Sequence, residues 1–142
     1  MKAEIPREEM LQIGEVADRV GLSLRTVRYY EEMGLIEPEM RTGGGFRLYT
    51  EDHIDRLAVI RRMKPLEFTV QEMRELLDAR DALRADPTDE PARQRLAAFA
   101  AAAEERSDSM RAKLSRAEEL VAQLRQESRK PRRGTRQVDS KS

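Results

Sequence analysis

LQIGEVADRVGLSLRTVRYYEE, residues 11–32, reads as two short helices with a turn between them. Ile13, Val16, Ala17 and Val20 follow one another at spacings of three, one and three, a stripe on one helical face. Gly21-Leu22-Ser23 interrupts that helix. The glycine accepts the left-handed conformation that ends a helix, and the serine hydroxyl caps the next one. Leu24, Val27 and Tyr30 then share one side of a second helix, which Gly34 stops. Two short helices joined by a glycine-containing turn are the pattern of a helix-turn-helix, although an ordinary helical hairpin has the same pattern.

Downstream, Leu35-Ile36 and Phe46-Arg47-Leu48-Tyr49 are strand-like runs on either side of Arg41-Thr42-Gly43-Gly44-Gly45. Three glycines in a row favour a hairpin tip. Flanked by Arg41 and Arg47, such a tip can lie close to a phosphate backbone, because nothing bulky holds it off. A plain β-turn with two solvated arginines is the alternative. Thr50 caps the next helix, whose first turn carries Glu51 and Asp52 in agreement with the helix dipole. Ile54, Leu57, Ala58 and Ile60 are its apolar contacts, Arg61, Arg62 and Lys64 its basic end, and Pro65 its limit. Thr69-Val70-Gln71-Glu72 is a capping box that opens another short helix with Val70, Met73, Leu76 and Leu77 turned inward. Asp86-Pro87-Thr88-Asp89 is the clearest break in the chain.

From Pro91 onward no glycine or proline interrupts residues 91–126. A heptad register places Leu96, Ala103, Met110, Ala117 and Leu124 at d, with Ala100, Ser107, Leu114 and Val121 at a. A helix of this length runs on the order of 50 Å. It can fold back on its own head, but a small head cannot cover all of it, whereas a second copy of the chain can. The alanines among the seam positions let two backbones approach closely.

Composition excludes several classes of function. Charged residues make up 38% of the 142, aromatic residues 4%, which argues against one large apolar core. With no cysteine, disulfides, thiolate metal sites and cysteine redox chemistry are ruled out for this sequence. His53 is the only histidine, in the first turn of a helix, where it suits a surface or capping position better than a metal ligand. No nucleophile–base constellation or phosphate-binding loop is evident, so the expectation is neither an enzyme nor a metal or cofactor protein. The 27 basic and 27 acidic residues balance, so any affinity for nucleic acid depends on where the charges sit. Residues 1–10 read as a loose leader without the character of a secretory signal, and no stretch is apolar enough to span a bilayer. A cytoplasmic protein is expected. Arg129, Lys130, Arg132, Arg133, Arg136 and Lys141 make residues 128–142 a basic tail expected to be disordered.

Taken together, residues 12–80 resemble the MerR family of bacterial transcription regulators. The resemblance lies in Ile13-Gly14-Glu15-Val16-Ala17, Val20-Gly21-Leu22-Ser23, Arg25-Thr26-Val27-Arg28-Tyr29-Tyr30-Glu31, Gly34-Leu35-Ile36 and the segment from Arg41 to Tyr49. It implies a mainly α fold: a winged helix-turn-helix over 11–82 with a small β-hairpin wing, a linker at 83–90, and a long antiparallel coiled-coil dimerisation helix over 91–127. It also implies roles. The helix capped by Ser23 would enter the major groove and present Arg25, Thr26, Arg28 and Tyr29. Arg41, Phe46, Arg47 and Tyr49 would form the wing beside the groove, and Tyr30 would belong to the core. Arginines on such a helix read guanine or clamp phosphate. Leu96, Ala100, Ala103, Met110, Leu114, Ala117, Val121 and Leu124 would join two copies.

The family's implied partners are therefore promoter DNA, a second copy of the chain, and RNA polymerase indirectly through reshaped DNA. An architectural DNA-binding protein without switched transcription is the alternative. Many relatives stop the helix near residue 67 with a small residue or glycine, whereas this chain has Pro65-Leu66-Glu67-Phe68. A left-handed conformation at Glu67 would cost about 1 kcal/mol. Metal-sensing and redox-sensing relatives carry cysteines near the end of the dimer helix, which this sequence lacks.

Overall fold

The computed structural model describes residues 10–41 and 47–132. The elements in order are β1 (Leu11–Gln12), α1 (Ile13–Val20), α2 (Leu24–Glu32), β2 (Met40–Arg41), β3 (Arg47–Tyr49), α3 (Glu51–Met63), a 3-10 turn (Lys64–Leu66), α4 (Val70–Ala85) and α5 (Glu90–Glu127). The fold is mainly helical, with one small antiparallel sheet in the order β1-β3-β2. Leu11 pairs with Tyr49 and Gln12 with Leu48, while Met40 pairs with Leu48 and Arg41 with Arg47. The expected leader (residues 1–10) lies outside the described residues except for Met10. The glycine tip with Phe46 and the last ten residues of the basic tail also lie outside them.

Two expectations about strands change. Leu35-Ile36 is not a strand: both side chains are buried in the core on a stretch of coil. The Leu35 N–H bonds to the Tyr30 carbonyl at 3.0 Å and its own carbonyl accepts from Arg56, so the backbone has no need of a strand partner. The second wing strand is instead Met40–Arg41, and a third strand, β1, runs into α1 without a loop. Leu24, expected on the inner side of its helix, is exposed.

Three helix ends share one device. After α1, Gly21 takes φ +71, with its N–H on the Asp18 carbonyl and that of Leu22 on the Ala17 carbonyl. After α2, Gly34 takes φ +78, with its N–H on Glu31 and that of Leu35 on Tyr30. This is the Schellman arrangement, in which a left-handed residue lets two orphan carbonyls be satisfied. The third case is Glu67, at φ +61 the only non-glycine with positive φ among the described residues. Its N–H bonds to Lys64 and that of Phe68 to Met63. The left-handed turn swings Phe68 into the core, where its ring meets Phe99 edge-on at 6.1 Å.

Helix starts follow the sequence. Ser23 Oγ accepts from Thr26 N–H at 3.1 Å, and Thr69 and Glu72 form a reciprocal capping box. Asp89 Oδ1 accepts from Ala92 N–H at 3.0 Å and starts α5 after a loop of residues 86–89. His53 closes the box at Thr50: its Nδ1 accepts from Thr50 N–H at 2.9 Å. It is a capping residue, but a buried one rather than a surface one.

The core joins Val16, Ala17 and Val20 of α1 to Val27 and Tyr30 of α2, Tyr49 of β3, Leu57 and Ile60 of α3, and Met73 and Leu77 of α4. Each fully buried large apolar side chain contributes about 1.5–3 kcal/mol. Phe99, Ala102 and Ala103 of α5 pack against this core. The chain divides into two units, Met1–Ala103 and Glu104–Ser142. In the second unit α5 continues to Glu127 with Met110, Leu114, Leu120, Val121 and Leu124 between 44% and 58% exposed.

Candidate nucleic-acid interface

The turn between α1 and α2 holds α2 by its inner side, where Val27 and Tyr30 are buried. Arg25, Arg28 and Tyr29 stay exposed on its other flank. Ser23 and Thr26, expected among the contacts, are engaged in the cap itself, their hydroxyls 2.8 Å apart. Tyr29 packs its ring edge-on against Tyr30 at 5.5 Å, which limits where the Tyr29 hydroxyl can go. Among the described residues, neither Arg25 nor Arg28 has a hydrogen-bond or ion-pair partner. Two unpaired guanidinium groups on one exposed helix are a local excess of positive charge that the balanced total conceals.

β3 adds Arg47 beside this helix. Arg47 Nε pairs with Glu31 Oε1 of α2 at 3.0 Å, and Tyr49 donates its hydroxyl to Glu31 Oε2. Tyr49 was expected on the wing surface; its side chain is 0% exposed and lies in the core against His53. β3 is the central strand, and the adjacent Leu48 and Tyr49 on it are both buried. Arg41 lies on β2 opposite Arg47.

Other arginines serve the scaffold, a role with no local signature in the sequence. Arg61, at the basic end of α3, donates to the Val20 carbonyl at 2.9 Å and so clamps the end of α1. Arg74 of α4 donates to the Met33 carbonyl at the end of α2. Arg56 gives Nε and Nη2 to the Leu35 carbonyl, each at 3.2 Å, and Nη1 to Asp81. Each brings a positive charge to a helix C-terminus or the turn after it, where the orphan carbonyls are. Arg80 and Arg84 share Asp55 and hold its carboxyl below the usual carboxylate range, with Arg80 the stronger influence. Arg19 pairs with Glu51 across α1 and α3. Arg62 and Lys64 have no such partner among the described residues and remain with Arg25 and Arg28 as uncompensated cations. Arg25 and Lys64 both line an open cavity of about 420 Å³ between α2, the 3-10 turn and α4, floored by Tyr30, Phe68 and Met73.

His53 sits where β3 passes into α3. Burial lowers its pKa below the ordinary histidine value, against an upward pull from the backbone of Glu37 and the charges of Glu39 and Asp52. Among the described residues no group of three or more histidine, aspartate or glutamate side chains could hold a metal ion. Nor is any described helix long and apolar enough to cross a membrane.

Residues 11–80 match the family described as MerR HTH family regulatory protein, and residues 54–127 match that described as MerR, DNA binding. The chain is 46% identical over 70 residues to the mercuric resistance operon regulatory protein of Bacillus cereus, covering 49% of this chain and 53% of that protein. It is also 46% identical over 71 residues to the HTH-type transcriptional regulator ZntR of Escherichia coli K12, 50% of each. The chain thus spans about half the length of the curated relatives it matches. Among solved structures it is similar to the transcription regulator PbrR691 of Ralstonia metallidurans CH34 in complex with lead(II). That likeness has a TM-score of 0.53 and 33% identity, over 88% of this chain and 92% of the other.

Proposed function

Because this chain belongs to the MerR family of helix-turn-helix regulatory proteins, we propose that it is a transcription regulator that binds a pseudo-palindromic promoter site as a homodimer. The observation that carries this reading is α2, a capped helix held by its inner side with Arg25 and Arg28 exposed and unpaired among the described residues. In this reading α2 lies in the major groove, where an arginine reads guanine through a bidentate pair or holds a phosphate. Arg47 approaches the neighbouring backbone from the wing strand. The role is regulatory rather than enzymatic.

Support for the dimer comes from α5. Met110, Leu114, Ala117, Val121 and Leu124 recur at alternating spacings of four and three, and all are exposed. Such a stripe is the seam of a coiled coil awaiting its partner, and the antiparallel pairing follows the family. A two-fold dimer calls for a two-fold site, and bending or untwisting the DNA between half-sites costs energy that depends on its sequence. We read the action on RNA polymerase as indirect, through the reshaped promoter, and place the protein in the cytoplasm. The mercury and lead in its relatives' names do not transfer on thiolate chemistry, since this sequence has no cysteine.

Selection of bound fragments from genomic DNA, followed by footprinting and transcription in vitro, tests this reading. The expected result is an inverted repeat within a long promoter spacer, with altered transcription from that promoter. Binding without a shared sequence would favour an architectural protein instead, and no binding at all would overturn both.

A further inference from the structure

Glu31 stands on the last turn of α2, its side chain only 11% exposed. One carboxylate oxygen accepts the Tyr49 hydroxyl and the other forms an ion pair with Arg47 Nε at 3.0 Å, both partners coming from β3. Arg47 itself is 36% exposed and makes no other side-chain bond among the described residues. Among the described residues its Nη1 and Nη2 therefore have no partner, while Nε is paired with Glu31. A carboxylate beside a surface meant for phosphate is unfavourable on charge alone, so its position calls for a reason.

We propose that Glu31 is a positioning residue for DNA engagement. By gripping Arg47 through Nε it presets the two terminal amino groups of the guanidinium for a phosphate. By gripping Tyr49 as well, it ties the wing strand to α2, so that both meet the duplex in one geometry. A loose arginine has rotamer freedom to lose on binding, and holding it beforehand removes part of that cost. The proposal rests on the reading that Arg47 meets the DNA backbone.

Positioning and simple electrostatics predict opposite signs for Glu31→Gln. Removing a negative charge near DNA tightens binding if charge alone matters; losing the grip on Arg47 weakens it. The test is fluorescence anisotropy of the full chain against a labelled duplex carrying the selected site, repeated across a salt series. The expected result is binding about tenfold weaker and a salt slope shallower by about one per protomer, as for one lost phosphate contact. In an Arg47→Ala background Glu31→Gln should then weaken binding no further. Equal or tighter binding by Glu31→Gln, or additivity with Arg47→Ala, overturns the proposal.

If circular dichroism shows Glu31→Gln unfolded, Arg47→Lys takes its place, since one ammonium cannot be held at one nitrogen and offered at two others. It should bind as weakly as Arg47→Ala, and binding at the original strength overturns the proposal. Arg28→Ala on the same duplex separates the two levels: no loss there would count against the DNA reading itself rather than against Glu31.

Discussion

The two units of this chain treat their exposed chemistry in opposite ways. In residues 11–103, apolar stripes close on one core, and the ends of α1 and α2 are clamped by Arg61 and Arg74 from later helices. In residues 104–127, α5 carries an apolar stripe that nothing in its own unit covers. The contrast separates two uses of a surface. The first unit exposes unpaired cations, suited to a polyanion; the second exposes apolar side chains, suited to another copy of itself.

The sharpest way to break that contrast is to charge the stripe. Leu114→Lys with Val121→Lys should convert a dimer to a monomer in sedimentation equilibrium and lower affinity for a two-fold site on the order of 100-fold, through lost avidity. A variant that stays dimeric would move the interface elsewhere. The next largest effect belongs to the first unit's core, where Leu57→Ala should cost about 2–5 kcal/mol in urea unfolding. Removing the clamp by Arg61→Met leaves the Val20 carbonyl without that donor, at a cost of about 1–3 kcal/mol in the same assay.

His53 makes the first unit sensitive to pH. Its folded pKa lies below the unfolded value of about 6.5, because burial disfavours the charged imidazolium. The unfolded chain then binds the proton more readily. Its contribution is fully present above about pH 6.5 and is lost as pH falls through that value toward the lowered one, at up to about 1.4 kcal/mol per pH unit. Thermal unfolding of wild type and His53→Gln between pH 5 and 8 checks this: the mutant should show a flatter profile on the acid side. The smallest effect is a gain. Glu67→Gly, at φ +61, should raise stability by about 0.5–1 kcal/mol.

The helix-turn-helix is legible in residues 11–32 because its signals are local: a stripe of apolar residues, a glycine stop and a serine cap. The loop at 86–89 and the capping box at Thr69 are legible for the same reason. Glu67 is legible as a conflict, a non-glycine where a left-handed turn has to end the helix. What escapes the sequence is non-local. β1 is two residues long and exists only because β3 lies beside it. Leu35-Ile36 has β-type residues, but Gly34 turns them into the core before they can pair. Tyr49 reads as a wing contact, because the carboxylate of Glu31 that takes its hydroxyl lies 18 residues away in sequence. Arg56, Arg61 and Arg74 look like solvated charge, because the carbonyls they bind lie 21 or 41 residues away in sequence.

The claim that α2 is the DNA-reading element is tested most directly by reversing its unpaired charges. Arg25→Glu with Arg28→Glu in the full chain, titrated against the selected duplex, should lower affinity by at least about 100-fold and flatten the salt dependence, while the circular dichroism spectrum stays unchanged. Folded protein that binds the duplex as tightly as before would contradict the account.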